Sequence, residues 1–260
     1  MKTRTTLIAL ALASCAGFAH ADYTFSNVSA NWLDWSSNTQ DRTNKGPFGG
    51  KADFAYLEAE GGMGGNWGDL YGFVDVENAD QNTRENGGQN RRYASKVVAR
   101  VNVAQIGNLP VQAYAHVYDF REGKFYDQNR VLGLGTSLSA GSLWVKPFLG
   151  AHQEFKQGAG AHRNGMMAGW VLGFPFKAAG QDLMVTQWHE IEFDREDRYL
   201  GMAKDGKVVN ARKLANNGAV SLWWNATKSL TGGLTYRYAD QKLGSATYQR
   251  ALITTIKYNF

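Results

Sequence analysis

The sequence predicts an all-β chain: a transmembrane, antiparallel, up-and-down β-barrel of about 12 strands, with long extracellular loops and short periplasmic turns. Three observations point to it. The stretch Tyr248 to Phe260 sorts by parity, with Leu252, Thr254, Ile256, Tyr258 and Phe260 mostly apolar and Ala251, Ile253, Thr255, Lys257 and Asn259 mostly polar. That is the two-residue period of a strand with one oily face and one wet face. Aromatics reach 13%, with 30 glycines and only four prolines, yet mean hydropathy is negative. Lipid-facing residues that alternate with lumen residues give this combination, and no stretch after residue 21 is apolar long enough for a membrane helix. Finally, two-faced segments of roughly ten residues recur between stretches of turn chemistry, and their connections alternate between long and short.

In chain order, the first segment is 28–37, with Trp32 and Trp35, followed by the polar stretch 38–50. Segment 51–60 sets Ala55, Leu57 and Ala59 against Tyr56, Glu58 and Glu60, and Gly61–Gly65 reads as a turn. Segment 68–78 opposes Leu70, Val74 and Val76 to Asp69, Tyr71, Phe73 and Asp75, ahead of a polar loop, 79–92. Segment 93–104 sets Val97, Ala99, Val101 and Val103 against Lys96, Arg100 and Asn102. Segment 111–120 sets Val111, Ala113, Ala115 and Val117 against Gln112, Tyr114, His116 and Tyr118, and a charged loop, 121–129, follows. The glycine-rich segment 130–138 has faces that resist assignment. Segment 143–154 opposes Leu143, Val145, Leu149 and Ala151 to Trp144, Lys146, Phe148, His152 and Glu154, and a loop spans 155–165. Segments 166–176, 183–193, 218–226 and 232–240 lead to the terminal strand, with the longest and most charged loop at 194–217. Hydrocarbon offers backbone groups no partner, so the sheet must close on itself. Trp67, Tyr71, Trp170, Tyr258 and Phe260 near strand ends suit interfacial girdles.

Lys2 and Arg4, an apolar run from Leu7 to Ala13 and then Ala19-His20-Ala21 describe a secretory signal peptide cut after Ala21, which leaves 22–260 as the barrel domain. Leu12-Ala13-Ser14-Cys15 also resembles a lipoprotein box. Past the leader there is no cysteine, so no disulfide framework or thiol ligand is expected. The 28 basic side chains exceed the 23 acidic ones only slightly and are spread along the chain, which argues against a nucleic-acid surface.

A barrel of this size is wider than one that side chains merely fill. The polar parity carries carboxylates on the second and third segments (Glu58, Glu60, Asp69, Asp75) and cations on the fourth, seventh and last (Lys96, Arg100, Lys146, Lys257). Separated charge would set a transverse field that orients dipolar solutes. Tyr56, Tyr71, Phe73, Tyr114, Tyr118, Trp144 and Phe148 share that parity, and aromatic faces stack on heterocycles. His116 lies on it too. The bland alternative is that these charges pair and fill a plugged lumen. No serine–histidine arrangement, metal-ligand spacing or phosphate loop stands out, so neither enzyme activity nor a cofactor or metal is expected.

At the second and third segments the sequence becomes specific. Tyr56-Leu57-Glu58-Ala59-Glu60-Gly61-Gly62, then Trp67-Gly68-Asp69-Leu70-Tyr71-Gly72-Phe73-Val74-Asp75-Val76, resembles the Tsx-like outer-membrane family of nucleoside-specific channels and OmpK-type porins. Ala55 stands where that family has aspartate, and Phe73 where it has tyrosine. The ending Lys257-Tyr258-Asn259-Phe260 is similar as well, though many outer-membrane barrels end so. The resemblance implies a monomeric barrel of the Gram-negative outer membrane that passes nucleosides or similar small solutes. It implies Tyr56, Glu58, Glu60, Asp69, Tyr71 and Asp75 as lumen residues and phage as a possible partner. Lipid bilayer, lipopolysaccharide and the barrel-assembly machinery, through the C-terminal strand, are the other partners expected. A lipase-like barrel enzyme and an adhesion barrel are the rival readings.

Overall fold

A computed structural model describes residues 22–46, 50–81, 90–204 and 207–260, without the side chains of 202–209. The expected signal peptide, its cleavage site and Cys15 lie outside the described residues. The chain forms a closed antiparallel barrel of 12 strands. They are β1 (Tyr23–Trp35), β2 (Phe54–Gly65), β3 (Gly68–Glu77), β4 (Arg92–Ile106), β5 (Leu109–Glu122), β6 (Phe125–Gly135), β8 (Leu143–Lys156), β9 (Gly160–Ala178), β10 (Gln181–Phe193), β13 (Ala215–Asn225), β14 (Leu230–Asp240) and β15 (Gln249–Asn259). The short β7 (Leu138–Ala140) pairs with β8 in the register that β6 uses, so β6 and β7 are one interrupted strand. Outside the wall lie a helix, α1 (Ser37–Asn44), and a small hairpin of β11 (Gly201–Lys204) and β12 (Lys207–Asn210).

Each strand pairs with its sequence neighbours, and β1 pairs with β15 from Asn27↔Asn259 to Trp35↔Ala251. Closure supplies every wall strand with two partners and leaves no edge in hydrocarbon. The parity read from the terminal stretch holds: Leu252, Ile256, Tyr258 and Phe260 are exposed on the outer wall, and Ala251, Ile253 and Thr255 are buried toward the lumen. Leu57, Val74, Val101, Val117 and Leu149 repeat that outward exposure around the barrel.

The connections depart from the expectation in places. Gly61–Gly65 continues β2 as strand, and the turn sits at 66–67. The connections expected at 121–129 and 155–165 shrink to 123–124 and 157–159, because β5–β6 and β8–β9 stay paired beyond the predicted ends. Polar residues above the membrane need no two-faced pattern, so the strands run on unseen by periodicity. The stretch read as polar loop at 38–50 begins with α1, whose N-cap Ser36 accepts from the Thr39 amide. The outer connection 194–214 holds β11 and β12 and is pinned by Tyr199. Its hydroxyl donates to the Glu154 carbonyl at 2.7 Å and accepts from the His162 amide at 3.0 Å.

Candidate functional site: a strapped lumen

Alternation places all the expected lumen residues on the inner wall. Tyr56, Glu58 and Glu60 lie on β2, and Asp69, Tyr71, Phe73 and Asp75 on β3. Lys96 and Arg100 lie on β4, Tyr114, His116 and Tyr118 on β5, and Trp144 and Lys146 on β8. Tyr71, also expected at an interfacial girdle, instead points inward and donates to Glu60 Oε2 at 2.8 Å. Its shared parity with Asp69 and Asp75 already set it on the inner face, whereas girdle aromatics face lipid.

The charges do not stand on separate arcs. Lys96 on β4 pairs with Glu190 on β10, five strands away by the shorter route β4-β5-β6-β8-β9-β10, so this pair crosses the bore. Nearer the periplasmic end, Asp69 on β3 takes Arg100 at 3.3 Å and Lys146 of β8 at 2.9 Å. Glu60 on β2 takes Lys257 of β15 and also accepts from Asn27 of β1 at 3.1 Å, which ties three strands over the closing seam. The simple transverse field expected from unpaired walls is therefore largely quenched, because partners such as Glu190 come from strands whose faces the sequence did not assign. What remains is local. Glu58 and Asp75 face each other in register and, among the described residues, form no ion pair with a cation. Arg237 on β14 points inward with no carboxylate partner among the described residues. It donates to the Gly218 carbonyl at 2.9 Å and lies 4.8 Å over the Trp188 ring.

One arc of the wall is packed solid. Tyr114 stacks on Phe148 at 4.1 Å between ring centres, bonds His116 Nδ1 at 2.8 Å and carries the Arg100 guanidinium 5.0 Å over its ring. Val98, Val131 and Met167 complete that cluster. Tyr114 and His116 thus face inward but are covered by neighbours, whereas Tyr23 and Phe25, on the same inner face of β1 as Asn27, are half exposed at the periplasmic mouth. Sequence reading missed this pair, as well as Trp188, Glu190, Trp223 and Arg237. Tyr23 and Phe25 precede the predicted start of the first strand, although their parity with Asn27 could have found them. Among the described residues no three metal-ligating side chains converge.

At the outer end, the connections on either side of the β1–β15 seam touch. Lys51, before β2, donates to the Leu243 carbonyl at 2.8 Å. Burial, then the Arg92 charge, lowers its pKa to about 8, while Glu77 and Glu122 pull the other way and Arg237 adds to the lowering. A lysine so depressed is held charged at a cost below pH 8, and the cost fades as pH rises toward the unfolded value of 10.5. Between those limits the unfolded state binds more protons, so packing of this loop should tighten with pH. Protease protection of the 36–53 connection is expected to rise from pH 7 to pH 10, and Lys51→Met should remove that rise. A flat pH profile in the parent protein would refute it.

A family model described as nucleoside-specific channel-forming protein, Tsx, matches residues 30–260. Among solved structures, the chain is similar to the outer membrane channel DcaP of Acinetobacter baumannii, at 11% identity and a TM-score of 0.39, covering 92% of this chain and 96% of that one. It is similar to Pseudomonas aeruginosa OccK2 (OpdF) in complex with glucuronate, at 9% identity and a TM-score of 0.32, covering 92% and 98%. It is also similar to OmpT of Vibrio cholerae, at 8% identity and a TM-score of 0.39, covering 93% and 99%. With scores this low, these three add nothing to what the barrel itself shows.

Proposed function

The chain belongs to the Tsx family of nucleoside-specific channel-forming proteins, and on that premise we propose that its lumen passively conducts nucleosides or solutes of like size and polarity. The observation that carries the reading is the character of the inner wall. Paired charges leave little net field to favour an ion, while Tyr71 and Phe73, 6.3 Å apart, offer ring faces beside the carboxyls of Glu58 and Asp75. A base can stack on the rings, an interaction worth roughly 1–3 kcal/mol per base. The carboxyls can accept from ribose hydroxyls. Weak, multi-site contact of this kind lets a solute enter and leave.

In planar bilayers, added adenosine or thymidine is expected to reduce single-channel current in a saturable way. Phe73→Ala with Tyr71→Ala should weaken that block about tenfold, a loss of roughly 1.4 kcal/mol, and leave the pore open. Conductance indifferent to nucleosides but blocked by a simple sugar would reject the reading.

A further inference from the structure

On the outer wall, at the extracellular end of β10, β13, β14 and β15, a pocket of about 460 Å³ is lined by His189, Asn216, Tyr236, Tyr238, Asp240 and Tyr248. Strand register sets these residues on the lipid face: His189 pairs with Gly218, which pairs with Tyr238, and Ile191 pairs with Asn216, which pairs with Asp240. Four of these side chains bond in two pairs. His189 Nδ1 bonds the Tyr238 hydroxyl at 2.7 Å, and the Tyr236 and Tyr248 hydroxyls bond each other at 2.9 Å. Trp170, opposite His189 on β9, holds its ring 4.7 Å from that of the histidine. Arg250 is exposed opposite Tyr238 in the register. Deeper along the same face the wall turns aliphatic, with Val220, Leu222, Leu234 and Leu252 exposed.

We propose that this pocket binds the sugar head group of an acylated, anionic glycolipid of the outer leaflet. Ring faces take the apolar face of a pyranose, and Asp240 with Asn216 takes its hydroxyls. Arg250 supplies a cation for a phosphate on the head group. The aliphatic strip below receives the chains. An aromatic girdle of the ordinary kind would not need a carboxylate and an amide lining one cavity, with an exposed arginine opposite Tyr238 on the neighbouring strand. Occupancy of this outer site is independent of what passes through the lumen.

The test is native mass spectrometry of the full chain, folded in detergent and titrated with lipid A. Retention of lipid A about tenfold stronger than that of phosphatidylglycerol is expected, a difference of roughly 1.4 kcal/mol. Asp240→Ala with Tyr248→Ala should remove most of that preference, and Tyr236→Phe, which keeps the ring, should weaken it while the barrel still folds. Equal retention of the two lipids would overturn the proposal, since acyl chains alone would then account for binding. So would unchanged preference in both variants, or equal affinity for the deacylated disaccharide, which would make this a soluble-sugar site.

Discussion

Lys96→Met combined with Glu190→Gln is expected to raise single-channel conductance at least about twofold over the parent barrel, because it removes a strap that spans the bore. The two side chains meet from opposite walls, so the pair divides the cross-section at its middle. Neutralising both partners avoids leaving a lone buried charge, which would cost several kcal/mol and confuse a wider pore with a damaged one. The single variant Lys96→Met is the control. It frees Glu190 and should shift selectivity toward cations, readable as a reversal-potential change under a salt gradient. Asp69 and its two cations form the second constriction, and Asp69→Asn should loosen it while leaving the first intact. Unaltered conductance in the double variant would mean that the permeation path does not pass between β4 and β10.

The second large effect falls on stability. Glu60→Leu leaves the Lys257 ammonium without its carboxylate and strips the Tyr71 hydroxyl and the Asn27 amide of their acceptor. Uncoupling a mostly buried pair in this way costs about 3–5 kcal/mol. The urea midpoint for barrels folded in lipid vesicles should drop accordingly, and adding Lys257→Met should recover part of the loss. A midpoint unchanged by Glu60→Leu would show that the three-strand tie contributes nothing.

The wall was legible because lipid and water sort neighbours, and β2 through β5 present large residues on both sides of that sorting. It failed where the sorting is masked. On β9 the inward positions include Gly169 and Gly173, since a Cβ at either would fall 2.8 Å from the Phe148 ring and 2.3 Å from that of Trp144. Rings from β8 fill that space, and β9 shows no polar face of its own. On β10, β13 and β14 the outward face carries His189, Asn216 and Tyr238, so polarity no longer marks the inside. Glu190 and Arg237 went unassigned for the same reason. Pairing across the bore is beyond any local pattern, because Lys96 and Glu190 are 94 positions apart.

The tie between Glu60 and Lys257 joins groups 197 positions apart in the chain. Contacts of such reach form slowly, since loop-closure entropy is spent before they return anything. Zippering of hairpins can therefore finish early while β1 and β15 still search for each other. During that interval the half-built wall presents two sticky borders, and dilution should favour correct closure over aggregation.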